Sequence, residues 1–248
     1  MATTEAAPGN AMVRPWGFWL TMGFSLVIIG ANESIGIVAW PSCCWLTRQW
    51  GIPIDNEWLG RNYGLFISVL TWVSAVVCLG LLVAFTLIRK GWSVPEYLAL
   101  RRVSWKSLGG WVLTAAVFSL VSESVIYHVR HYLVADWSIV ICRTARSPAL
   151  LWSALLIASP ISEELVCRGF MFRGIRASSL GAVGAIVVPA MIWAGLHFQY
   201  DWYRIATLFA SGILLGTARL RSGSSLPPIV IHSLWNFVGF LEVAMIAH

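Results

Sequence analysis

Seven long apolar runs, at residues 16–40, 63–88, 110–127, 148–172, 180–198, 203–220 and 226–247, constrain this chain more than any other feature. Each reaches or approaches the ~20 residues that a helix needs to cross a ~30 Å hydrocarbon layer. They are continuously apolar and too long for barrel strands, so they predict an all-α fold, a polytopic transmembrane bundle of about seven spans. Composition agrees: of 248 residues 58% are hydrophobic and 11% charged, against roughly 25% charged in an ordinary soluble domain. Such a chain cannot clothe a core of its own and still present a polar surface to water. The first run lacks a short apolar segment followed by a small-residue cleavage site, and reads as a retained span, not a removable signal. Residues 1–15 form a polar tail, 16–147 an N-terminal helical region, and 148–248 a C-terminal core.

The net charge of +6 lies mostly in the short segments between the runs. Threading seven spans puts Arg14, Arg89, Lys90, Arg101, Arg102, Lys106, Arg173, Arg176, Arg219 and Arg221 on one side. Arg48, Arg61, Arg130, Arg143, Arg146 and Arg204 fall on the other. Ten against six favours a cytoplasmic N-terminus, and the cations answer to anionic headgroups rather than to nucleic acid. The loop at 89–109 carries a Ser-x-x-Glu capping pattern, Ser93 and Glu96, followed by leucines, aromatics and basic residues. That suits a short helix lying along the headgroups. Five cysteines, at 43, 44, 78, 142 and 167, show no zinc spacing; Cys43, Cys44 and Cys142 share the outer side, where one disulfide could form.

Ionisable groups inside the bilayer cost roughly 2.5–3.5 kcal/mol each on insertion scales, so they are functional candidates by default. Glu33 and Glu123 are scattered and suggest no chemistry. The C-terminal groups are patterned. Glu163, Glu164 and Arg168 form E-E-x-x-x-R in the fourth run, and the four-residue spacing puts Glu164 and Arg168 on one helix face as an ion pair. Glu163 points about 100° away, with no partner at helical spacing. A buried carboxylate in that position is basic enough to act as a general base near neutral pH. His197 lies near the end of the fifth run. His232 and Asn236 are four apart on the seventh, as catalytic donors or as a polar stripe joining helices.

The order E-E-x-x-x-R, then Trp193 with three residues between it and His197, then H-x-x-x-N, is similar to the three motifs of the CPBP family, which holds the type II CAAX prenyl endopeptidases. R-G-F after the first motif and G-S-S-L-P-P-I-V-I-H before the third also resemble it, over roughly residues 148–240, and SVPEYLALRR near residue 100 looks like the family's pre-core segment. The family usually has Phe where this chain has Trp193. The resemblance implies that Glu163 activates a water, with His197 holding that water or sharing its proton. His232 and Asn236 would donate to the oxyanion, each such donor being worth roughly 3–4 kcal/mol in kcat. Glu164 and Arg168 would brace them.

The implied activity is an intramembrane endopeptidase acting on a membrane-associated peptide or protein, prenylated or bacteriocin-like, in a bacterial cell membrane. Two other classes remain on the residues alone. One is a non-catalytic scaffold on the same bundle. The other is a polar-solute transporter, against which stands the lack of an internal repeat. The family's metalloprotease label makes zinc possible, through Glu163, His197 and His232. The H-E-x-x-H motif is absent, however, and a metal-independent hydrolase with no cofactor is favoured. Counting inward at 1.5 Å per residue, Glu163, His197 and His232 lie ~14, ~25 and ~9 Å deep. They converge only if helices tilt, or if the end of the fifth run or the loop at 219–226 dips into the membrane.

Overall fold

The computed structural model describes residues 13–49, 55–131 and 136–247; most of the expected N-terminal tail lies outside them. The chain is a helical bundle. Four helices precede the core: α1 (Phe18–Gln49), α2 (Asn56–Ile88), α3 (Val94–Tyr97) and α4 (Trp105–Arg130). A short α5 (Asp136–Arg143) follows. The core comprises α6 (Pro148–Arg176), α7 (Gly181–Gly195), α8 (Trp202–Ser222) and α9 (Leu226–Ala247). Five helices, α1, α2, α4, α6 and α9, are long and apolar enough to cross a membrane. The other two expected spans differ. Helix α7 has 15 residues and reaches only ~22 Å, while α8 carries Arg204, Arg219 and Arg221 among its apolar positions.

Helix α6 is the axis of the bundle. Every residue from Leu165 to Met171 is buried, as expected of a helix surrounded by others. Around it pack Ile28 of α1, Cys78 and Leu82 of α2, Tyr97 of α3, and Ala185 and Trp193 of α7. Small residues permit the approach. A Cβ on Gly174 would lie 1.8 Å from Thr21 Oγ1, and one on Gly212 would lie 2.7 Å from Ala190 Cβ.

Helix α6 is also irregular, with π-helical turns at Ala154–Ala158 and Leu165–Met171 on either side of Ser159–Glu164. Pro160 explains the first. It lacks an N–H, and its ring crowds the carbonyl four residues back, so the preceding turn widens. Ser159 N then donates to Ala154 O. The Leu155 carbonyl would look to residue 160 for its partner and finds none. Asn236 Nδ2 donates to it instead, at 2.8 Å.

The capping box in the 89–109 loop forms as its spacing implies: Ser93 Oγ and N both donate to Glu96 Oε2, at 2.5 and 3.2 Å. The segment does not simply lie along the headgroups, however. Tyr97, Leu98 and Ala99 are buried, because the Ser224–Ser225 pair after α8 clamps this loop from beneath. Ser225 Oγ donates to Leu98 O, Ser225 N to Ala99 O, and Ser224 Oγ to Arg101 O. Gly223, at φ 68°, makes the left-handed turn that aims both serines inward.

At the opposite end, α5 was not legible as an element. It packs Ile141 and Trp137 against Phe240, Tyr63 and Trp152. The two scattered acids differ. Glu123 pairs with Arg204 at 2.5 Å, joining α4 to α8, whereas exposed Glu33 accepts from its neighbour Asn32. All five cysteines are free, so the outer pairing does not occur.

Candidate active site

Glu164 and Arg168 form the expected ion pair, Nη1 to Oε1 at 2.9 Å, and both are buried, at 0% and 1% exposure. Arg168 Nη2 also donates to Gly212 O at 3.2 Å, which ties α8 to α6. The same Glu164 oxygen contacts His232 Nδ1 at 2.9 Å. A carboxylate accepts, so His232 carries its proton on Nδ1 in this network, and Nε2 is directed elsewhere. That atom stands 4.0 Å from Glu163 Oε2. The acids of E-E-x-x-x-R thus face the two nitrogens of one imidazole.

Glu163 is not the unpartnered carboxylate that helical spacing suggested. Ser159, one turn before it, donates its hydroxyl to Oε1, and Trp193 Nε1 donates to Oε2 at 2.6 Å. Glu163 is about one-third exposed, at 31%, while its neighbour is fully enclosed. Of the two acids, it is the one open to a reactant.

Trp193 gathers the rest of the site. Its ring lies 5.0 Å from His197 and 5.3 Å from His232, centroid to centroid. The Arg168 guanidinium sits 5.3 Å from its ring centre. His197 falls just beyond the end of α7, in a turn, and its Nδ1 contacts the Trp193 carbonyl at 2.7 Å. Since a carbonyl only accepts, Nδ1 again bears the proton and Nε2 is the free base. The Trp193–Glu163 hydrogen bond shows that the last turns of α7 meet α6 at the level of Glu163.

Asn236 is placed differently from the other candidates. One of its amide N–H groups is taken by Leu155 O, so the amide fixes α9 to the π turn of α6 and keeps one donor free. Ser159 and Trp193 are the partners that motif reading missed. The signals were present in the four-residue spacings Ser159 to Glu163 and Trp193 to His197, which align each pair on one helical face. Among the described residues no three His, Cys, Asp or Glu side chains are close enough together to hold one ion, so Glu163, His197 and His232 do not fit a zinc site in this arrangement.

These features define a class: an integral membrane protein whose core helices enclose a carboxylate–histidine cluster. Residues 145–238 match the family of type II CAAX prenyl endopeptidases, Rce1-like, and over this segment the chain is similar to that family. An uncharacterised 24.3 kDa protein of Escherichia coli is 30% identical over 90 residues, which cover 35% of this chain and 41% of that relative. The chain thus matches less than half the length of this curated relative. No solved structure matches the chain.

Proposed function

We propose that the chain is an intramembrane endopeptidase that hydrolyses a peptide bond of a membrane-associated or lipidated substrate with a water activated by Glu163. One observation carries this reading: Glu163 Oε2 is held at 2.6 Å by the Trp193 indole and faces His232 Nε2 across 4.0 Å. A gap of that size is too long for a direct hydrogen bond and suits a bridging water. Glu163 accepts the water's proton as the oxygen attacks the scissile carbonyl carbon. It then returns that proton to the leaving amine as the C–N bond breaks.

The remaining donor of Asn236 and, when protonated, His232 Nε2 are the groups available to the oxyanion. His197 offers Nε2 to orient the water. Glu164 fixes the His232 tautomer, and Arg168 neutralises Glu164. Substrates of matching chemistry are a prenylated protein C-terminus or a hydrophobic peptide of the bacteriocin type. The proposed setting is a bacterial inner membrane, with the N-terminus and the loop at 89–109 in the cytoplasm.

Glu163→Gln tests the reading, since its amide oxygen still accepts from the Trp193 indole, the Ser159 hydroxyl can turn to accept from its N–H, and the base is gone. Activity should vanish with the thermal midpoint of the solubilised protein unchanged. Comparative proteomics of cells carrying wild type or Glu163→Gln should find C-terminal or leader fragments only with wild type. Identical fragment sets would overturn the proposal in favour of a scaffold.

A further inference from the structure

At the end of the bundle where α6 and α8 finish, a cleft of about 450 Å³ is lined by Arg101, Arg173, Arg176 and Arg219, with Phe172 and Pro15 beside them. No Asp or Glu is among the described residues that line it. The nearby carboxylate of Glu96 is already bound by Ser93. Four guanidinium groups around one concavity repel each other unless an anion joins them.

Two of the four are held rigidly. Arg173 donates to the Tyr97 and Glu96 carbonyls and lies over the Trp92 ring at 4.6 Å. Arg219 is only 4% exposed. Its Nε donates to Arg168 O at 2.8 Å, and its guanidinium lies 4.9 Å from the centre of the Phe172 ring. Its two terminal amino groups make no hydrogen bond to any described residue. A buried guanidinium with free donors facing a polar cleft needs an acceptor, and a phosphate matches its fork geometry.

The level of the cleft indicates the source. Trp19 and Trp105, near the start of α1 and α4 at the same end, are 83% and 86% exposed, as side chains of an interfacial aromatic belt are. We propose that the cleft is a binding site for a phosphate-bearing anion, supplied by the headgroup of an anionic phospholipid. The occupant would bridge Arg219 to Arg101 and Arg176 and draw together the ends of α6, α8 and the loop before α4. This binding does not depend on the chain being a protease.

The test avoids Arg219 itself, whose loss would strand the Arg168 carbonyl. Arg101 and Arg176 are exposed, so the double variant Arg101→Gln, Arg176→Gln leaves the core untouched. Arg221→Gln removes an exposed charge from the same end but outside the cleft. Native mass spectrometry of full-length protein from nanodiscs containing phosphatidylglycerol and phosphatidylcholine should show wild type and Arg221→Gln retaining phosphatidylglycerol. The double variant should retain it on the order of tenfold less.

In lipid-poor detergent, millimolar inorganic phosphate is the second probe. A rise in thermal midpoint for wild type but not for the double variant, without any lipid preference, would support the anion site and assign it to soluble phosphate. Equal behaviour of wild type and double variant with both probes would overturn the proposal. So would an equal loss in Arg221→Gln, which would indicate diffuse attraction to the membrane surface.

Discussion

Trp193 is the position where this chain departs from the Phe usual in the CPBP family that its core resembles, and the departure has a chemical consequence. A phenylalanine could supply the ring between His197 and His232, but only an indole can donate to Glu163, as Nε1 does at 2.6 Å. Removing that donor should leave the carboxylate held by Ser159 alone and less well aligned with the water. Trp193→Phe is therefore expected to lower kcat on the order of tenfold, with little change in KM or in thermal midpoint. A loss of folded protein in Trp193→Phe would instead mean that the indole matters for packing. Glu164 and Arg168 make the opposite case. Both are buried, and each would strand its partner if truncated, so Glu164→Gln and Arg168→Ala should destabilise by ~3–5 kcal/mol and reduce the yield of folded protein along with activity. Size-exclusion yield, measured beside activity, separates this pair from Glu163→Gln.

Among the elements, the two irregular ones carry the site. Pro160 widens α6 into a π turn and leaves Leu155 O without an intrahelical partner, which Asn236 supplies. Helix α7 stops short of a full crossing, and its last turns set Trp193 against Glu163 and His197. Neither was legible in the apolar runs, because hydropathy records that a stretch is buried and not how its backbone is wound. The motifs themselves were legible. Four-residue spacing paired Glu164 with Arg168 and put His232 and Asn236 on one face, and both relations hold. Glu163 was misread as unpartnered because the spacing argument looked for charge and passed over Ser159 and an indole. The capping box of α3 was read correctly and offers its own test. The Ser93 hydroxyl, then its backbone N–H, hold the Glu96 carboxyl below its usual range. A depressed carboxyl pKa adds stability above the unfolded value and loses it as pH falls through the folded one. The difference in thermal midpoint between wild type and Glu96→Gln should therefore be small, present at pH 7, shrink as pH falls below the ordinary glutamate value of about 4.3, and vanish once the folded carboxyl is protonated. A difference that persists in acid would locate the role of Glu96 elsewhere.

On the scale of the whole molecule, charge and burial are arranged along one axis. The arginine-rich end holds the clamped pre-core loop, the cleft and the exposed tryptophans; the carboxylate–histidine cluster lies deeper, and α5 packs across the far end. Arg168 joins the two regions. Its guanidinium pairs with Glu164 in the site, while its carbonyl receives Arg219 from the cleft. A substrate approaching from the arginine-rich side would meet the anion site before the Glu163 cluster, which is consistent with a peptide entering from the headgroup layer. That order depends on which membrane face the arginine-rich end occupies. We propose that it faces the cytoplasm, on the bias of ten basic residues against six that seven crossings would give. Lys106 is exposed in the first turn of α4 and does not line the cleft. In a variant stripped of native cysteines, Lys106→Cys in intact cells should resist a membrane-impermeant maleimide and react once the membrane is opened. Labelling from outside would invert the topology and put the site's entrance on the outer face, where a cytoplasmic lipidated substrate could not reach it.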